Sequence, residues 1–148
     1  MENLAPAKKV ITHDLNGNEN GYIIELFKED RKTKVYLTTI KKGGFKGYHL
    51  HRIRSSNYVC IRGVVKIILY TDTKKEEYIL NADKPERLHI PPKVATGLKN
   101  IRDEEVWIVN FPEPPYDPEQ KNEQIEFTEK ELEEKIKAGK KSGHYTNI

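Results

Sequence analysis

Short apolar runs rich in β-branched and aromatic residues recur along this chain, each closed by turn-forming residues, and this punctuation predicts β-strands rather than helices. Val10-Ile11-Thr12-His13 and Tyr22-Ile23-Ile24-Glu25-Leu26-Phe27 flank the turn-rich Asn16-Gly17-Asn18-Glu19-Asn20-Gly21. Residues 34–40 form a third run, ended by Lys41-Lys42-Gly43-Gly44. Residues 57–62 and 64–70 are apolar runs separated only by Gly63, which suggests a tight bend. Residues 76–80, 87–90, 96–100 and 106–111 continue the series, with Pro91-Pro92 forcing one strand to end at a rim. The total of about nine or ten short strands predicts an all-β fold, a double-sheet jelly-roll barrel.

The two ends of the chain read differently. Residues 1–8 form a loose start. Pro112, Pro114, Pro115 and Pro118 make an extended strap. Thr128-Glu129-Lys130-Glu131 fits a capping box that opens a helix through about Ala138, with Gly139 placed as its stop and a mobile tail beyond. Leu132 and Ile136, four apart, give that helix a narrow apolar stripe for packing. The expected organisation is one domain over residues 1–148, with a barrel core at about 34–111 and a strap and short C-terminal helix at 112–139.

Composition narrows the classes. A chain of 148 residues can bury one core without staples. Cys60, the single cysteine, lies in an apolar run and reads as a buried small hydrophobe. Lys and Arg exceed Asp and Glu by 26 to 23 with the signs interspersed, so the basic footprint of a nucleic-acid binder is missing. No run approaches the ~20 apolar residues that cross a bilayer, and nothing at the start resembles a signal peptide. The expectation is a cytoplasmic protein with neither a nucleic-acid nor a membrane partner.

Candidate chemistry concentrates in Lys46-Gly47-Tyr48-His49-Leu50-His51-Arg52. Residues one apart on a strand point to the same side, so His49 and His51 share a wall. The pair has three readings. It can be structural, it can ligate a metal, or it can carry general acid/base chemistry, for which imidazole has a suitable pKa. Against metal, the residues that follow, Arg52 to Asn57, include no carboxylate and add positive charge. Lys46, Arg52 and Arg54 around the pair suit a phosphate-bearing substrate. Tyr116 in the strap is either a proton donor or an anchor.

Gly47-Tyr48-His49-Leu50-His51, then Gly63-Val64-Val65-Lys66-Ile67, then Leu88-His89-Ile90-Pro91-Pro92-Lys93-Val94-Ala95-Thr96-Gly97 and Tyr116-Asp117-Pro118-Glu119, resemble the cupin-type sugar-nucleotide enzymes. The pattern is similar to proteins related to dTDP-4-dehydrorhamnose 3,5-epimerase and to the dTDP-sugar 3,4-ketoisomerases, over roughly residues 34–126. The resemblance implies that His49 is the catalytic base, that His51 is the second histidine of the ketoisomerases, and that Lys46 stands where an arginine contacts the nucleotide phosphate. Ser56 falls where the epimerases carry a lysine, Asn110 at about their catalytic tyrosine, and Thr96 where a histidine is usual. Asn110 thereby joins Lys46, Arg52 and Arg54 as a substrate-binding candidate, and Tyr116 joins His49 and His51 as a catalytic one.

The cupin metal pattern lacks its glutamate after His51, so no metal and no other cofactor is expected. The function implied is an epimerase or isomerase acting on a dTDP-4-keto-6-deoxyhexose in surface polysaccharide biosynthesis. The alternatives are a ketoisomerase or a non-catalytic sugar-nucleotide-binding cupin. The expected assembly is a homodimer through the early strands, whose apolar edges need cover.

Overall fold

In a computed structural model of the chain, residues 4–26, 34–114, 117 and 119–146 are described, 140–146 by their backbone alone. The expected runs become β2 (Lys9–His13), β3 (Glu19–Ile24), β4 (Tyr36–Ile40), β5 (Phe45–His51), β6 (Ser56–Arg62), β7 (Val64–Tyr70), β8 (Lys75–Asn81), β9 (Glu86–Ile90), β10 (Ala95–Asn100) and β11 (Val106–Asn110). Two short strands arise outside them. β1 (Leu4–Pro6) lies in the stretch read as a loose start, and β12 (Gln124–Glu126) follows the strap. A helix, α1, spans Glu129–Thr146.

The strands form two five-stranded sheets, ordered β1-β9-β6-β11-β4 and β12-β5-β10-β7-β8, while β2 and β3 form a separate hairpin. This is the all-β jelly roll with a C-terminal helix that the punctuation predicts. The alternation of each strand divides its side chains between two clusters. Val65, Ile67 and Leu69 of β7 meet Tyr58 and Cys60 of β6 and Val106 and Ile108 of β11 between the sheets. Ile68 and Tyr70 point the other way, towards Leu132 and Ile136 of α1. Burial of two such aliphatic side chains contributes about 1.5–3 kcal/mol each.

The capping box forms as expected, with the Glu131 N–H donating to Thr128 Oγ1 at 3.2 Å. The helix does not stop at Gly139, however. A Cβ there would lie 2.6 Å from the carbonyl oxygen of Asp72, so Gly139 lets the helix approach the turn between β7 and β8. It is a packing glycine inside a helix, and sequence position alone does not separate that role from a terminating one.

Candidate active site

The face that each β5 side chain presents is decided by a fault in the pairing. Lys46 pairs with Leu98 and His49 with Thr96, so three steps along β5 oppose two along β10. Such a bulge exchanges the faces on either side of it. Gly47 makes it possible: its φ is 134°, and a Cβ there would lie 2.6 Å from the Thr96 carbonyl oxygen and 2.8 Å from Gly97 Cα. Lys46, His49 and His51 therefore line one cavity although their numbers differ in parity, while Tyr48 and Leu50 pack under α1.

That cavity has a volume of about 400 Å³. Ser56 and Tyr58 of β6, Thr96 and Leu98 of β10 and Asn110 of β11 form its floor, and Tyr36, Leu37 and Thr38 of β4 its far wall. The Tyr58 phenol is pushed up from its ordinary pKa by burial, which the Ser56 hydroxyl and the Arg54 charge partly offset. It enters the cavity as a protonated hydroxyl.

β12 closes the near wall by pairing with β5, placing Gln124 opposite His51 and Glu126 opposite His49. Glu123, just before it, is a buried carboxylate with three donors around it. Oε2 accepts the Ile53 N–H at 3.2 Å, and Oε1 accepts Arg54 Nε at 2.5 Å and faces His51 Nδ1 at 3.2 Å. Burial alone would favour the neutral acid, but the Ile53 N–H, the Arg54 guanidinium and the His51 ring hold the carboxyl below the usual range. His51 is pushed the same way: burial first and the Arg54 charge second lower its pKa, against an opposing pull from Glu123. At neutral pH the site therefore holds an ionised Glu123 and an uncharged His51. On His49, Nδ1 lies 2.9 Å from Gln124 Nε2 and 3.7 Å from Glu126 Oε1.

Of the residues singled out from sequence, the fold brings Lys46, His49, His51, Arg54 and Asn110 to the cavity. Arg54 arrives already committed, its guanidinium bound to Glu123 and 3.5 Å from Gln124 Oε1. Arg52 is exposed and away from the cavity lining, tied to the site by its backbone N–H, which donates to the Glu123 carbonyl at 2.8 Å. Tyr116 lies outside the described residues. The carboxylate that the histidine neighbourhood lacked in sequence is Glu123, just before β12. The signal available for it was the alternation Gln124-Ile125-Glu126-Phe127, too short to stand out beside the capping box that follows. Tyr58 carried no signal beyond its place in a strand.

Among the described residues, no three His, Cys, Asp or Glu side chains converge as metal ligands would. No helix among them is long and apolar enough to cross a membrane.

Known proteins share this architecture. A dTDP sugar isomerase from Desulfovibrio desulfuricans superposes with a TM-score of 0.73 at 16% identity, over 84% of this chain and 82% of that one. QdtA, a sugar 3,4-ketoisomerase from Thermoanaerobacterium thermosaccharolyticum solved in complex with TDP, gives a TM-score of 0.62 at 24% identity, over 96% of this chain and 98% of that one. Both likenesses establish the shared fold, the one the sequence motifs resemble. In sequence, the chain is 22% identical over 124 residues to a probable low-salt glycan biosynthesis epimerase of Haloferax volcanii, covering 74% of this chain and 80% of that protein. Residues 16–124, which carry β3 to β11 and the first residue of β12, match the polysaccharide biosynthesis C-terminal domain, and the chain belongs to that family.

Proposed function

We propose that the protein is a sugar-nucleotide isomerase that moves a proton next to a carbonyl, with a dTDP-4-keto-6-deoxyhexose as its substrate class and surface polysaccharide biosynthesis as its setting. The observation that carries this reading is the pair of imidazoles on one wall of a sugar-sized cavity, with one ring nitrogen of each engaged, by Glu123 for His51 and by Gln124 for His49. A carbonyl acidifies the C–H bond on the adjacent carbon, so one positioned base can remove that proton and leave an enolate. Lys46 at the cavity supplies charge for a diphosphate, and the names of the fold neighbours and of the sequence relative point to the same chemistry.

Two outcomes share this first step. Epimerisation returns the proton to the opposite face of the same carbon, whereas ketoisomerisation delivers one to the neighbouring carbon. Both histidines stand on β5, on the same side of the cavity, which favours proton traffic on one face and therefore ketoisomerisation. Incubation with dTDP-4-keto-6-deoxyglucose in D₂O, followed by NMR, tests this. A carbonyl displaced to C3 is expected. Deuterium at C3 with the carbonyl retained marks a 3-epimerase, deuterium at C3 and C5 a 3,5-epimerase, and binding without exchange overturns the enzymatic reading.

A further inference from the structure

We propose that β12 and Arg54 fix the two imidazoles in opposite tautomers, His51 with its proton on Nδ1 and His49 with its proton on Nε2, so that a base and a hydrogen-bond donor face the same cavity. The catalytic consequence rests on the isomerase reading. The tautomers belong to the protein without substrate.

The assignment follows from counting donors. Glu123 is ionised and can only accept, so the 3.2 Å contact from its Oε1 to His51 Nδ1 is satisfied when that nitrogen carries the proton. The opposite choice would set a lone pair against a buried carboxylate. Arg54 Nη2 also lies 3.3 Å from His51 Nδ1, but Arg54 has other acceptors in Glu123 Oε1 and Gln124 Oε1 and does not need the ring. His51 therefore keeps its free lone pair on Nε2. It is the base.

Arg54 settles His49 as well. A guanidinium carries donors only, so Gln124 turns its amide oxygen towards Arg54 and its amide nitrogen towards His49. The Gln124 N–H then donates to His49 Nδ1 across 2.9 Å, and the ring proton is left on Nε2. Glu126 Oε1, at 3.7 Å on an exposed side chain, is beyond hydrogen-bond reach and does not reverse this.

The chemical step follows from these two protons. As the substrate C–H bond breaks, an N–H bond forms at His51 Nε2, and the electron pair moves through the new C=C bond onto the carbonyl oxygen. His49 Nε2–H holds that oxyanion by a hydrogen bond, a role that a neutral imidazole can fill. The His51 imidazolium, stabilised by Glu123, then delivers its proton to the former carbonyl carbon, while the hydroxyl proton on the first carbon passes to the oxyanion, so the first carbon becomes the carbonyl and the former carbonyl becomes a hydroxyl. Glu123, Gln124 and Arg54 are positioning residues, since none of them needs to touch the sugar.

The test uses the full-length protein labelled with ¹⁵N-histidine, at a pH above the imidazole range and without ligand. Long-range ¹H–¹⁵N spectra are expected to show protonated Nδ1 for His51 and protonated Nε2 for His49, each assigned by its His→Gln variant. Gln124→Glu replaces the amide donor with an acceptor. It is expected to flip His49 to the Nδ1 tautomer, leave the His51 signals in place, and lower turnover by about 10²-fold, the usual cost of one oxyanion donor. Glu123→Gln supplies the complementary loss of fixation at His51. The same tautomer in both rings, or a His49 unmoved by Gln124→Glu, overturns the assignment. A flip without loss of turnover overturns the catalytic role. Opposite tautomers in a protein that never turns over a keto sugar would instead remove the isomerase reading and leave the tautomers standing.

Discussion

On the β5–β12 side of the cavity, a buried carboxylate, a guanidinium, an amide and two imidazoles satisfy one another within hydrogen-bond distance, and the chain needs nothing external to hold them. The β4 side is built from Tyr36 and Leu37 on the outermost strand of its sheet, with Leu37 57% exposed and its neighbour Val35 54% exposed. The polar wall is preorganised and therefore suited to chemistry. The apolar wall sits on an edge that water touches, which is costly and prone to pairing. The expected chemistry and the expected assembly thus fall on opposite walls of the same cavity.

The largest expected effect lies on the polar wall. His51→Ala is expected to lower turnover by about 10²–10⁴-fold, the usual contribution of positioned proton transfer, and His49→Ala by about 10²–10³-fold, that of one oxyanion donor. Both side chains are partly exposed, so circular dichroism and thermal unfolding should match the parent. Turnover within a few-fold of the parent in either variant would remove that residue from the reaction.

The apolar wall is sharpened by oligomeric state. Tyr22 and Ile23 on the β2–β3 hairpin are 54% and 63% exposed, so a second apolar strand surface awaits cover. A two-fold homodimer through β4, the hairpin or both is expected, burying at least ~1,200 Å² in total if it is stable. Light scattering at micromolar concentration should return twice the chain mass of 17.2 kDa. Leu37→Asp should shift it towards the monomer and lower activity about tenfold by exposing the wall to water, an effect of roughly 1.4 kcal/mol. A parent protein that scatters as a monomer rules the dimer out.

The two walls also differ in how far they could be read from sequence. Alternation alone placed His49 and His51 on one face, because period two is a local property of the strand. Lys46 shares that face only through the bulge at Gly47, which depends on how closely β10 approaches. Glu123 and Gln124 were invisible for a stronger reason. They meet the histidines across some 70 residues of chain, through a three-residue strand whose pairing is decided by the tertiary fold. Arg54 looked like a surface cation for phosphate until the fold supplied the carboxylate that neutralises it. At the apolar wall, by contrast, residues 35–37 already read as an unprotected strand.

The next effect is a displacement along the pH axis. His51 is active as the neutral base, and burial with the Arg54 charge lowers its pKa, so the acid limb of kcat/KM should fall below the ordinary imidazole value of about 6.5. The sign for stability is the same. The unfolded chain takes up the proton first as pH drops, so the His51 contribution is complete above the ordinary value and is lost as pH falls through the lowered one. Arg54→Gln removes the second cause of the shift and should move the limb back towards 6.5. A parent profile already centred at or above that value would contradict the neutral-base assignment.

The smallest expected effect is that of chelation. Each imidazole has one nitrogen engaged, by Glu123 or by Gln124, and among the described residues no three His, Cys, Asp or Glu side chains converge into a ligand set. Glu123, the nearest carboxylate, already accepts from Arg54 and Ile53, and a dication between the rings would sit beside the Arg54 and Lys46 charges. Each of these raises the cost of a bound transition metal, whereas proton transfer needs only the free nitrogen on each ring. Untagged protein is therefore expected to carry well below one equivalent of iron, nickel or zinc by elemental analysis, and overnight EDTA should leave turnover unchanged. Stoichiometric metal whose removal abolishes activity would make His49 and His51 ligands, and the polar wall a metal site instead of a proton relay.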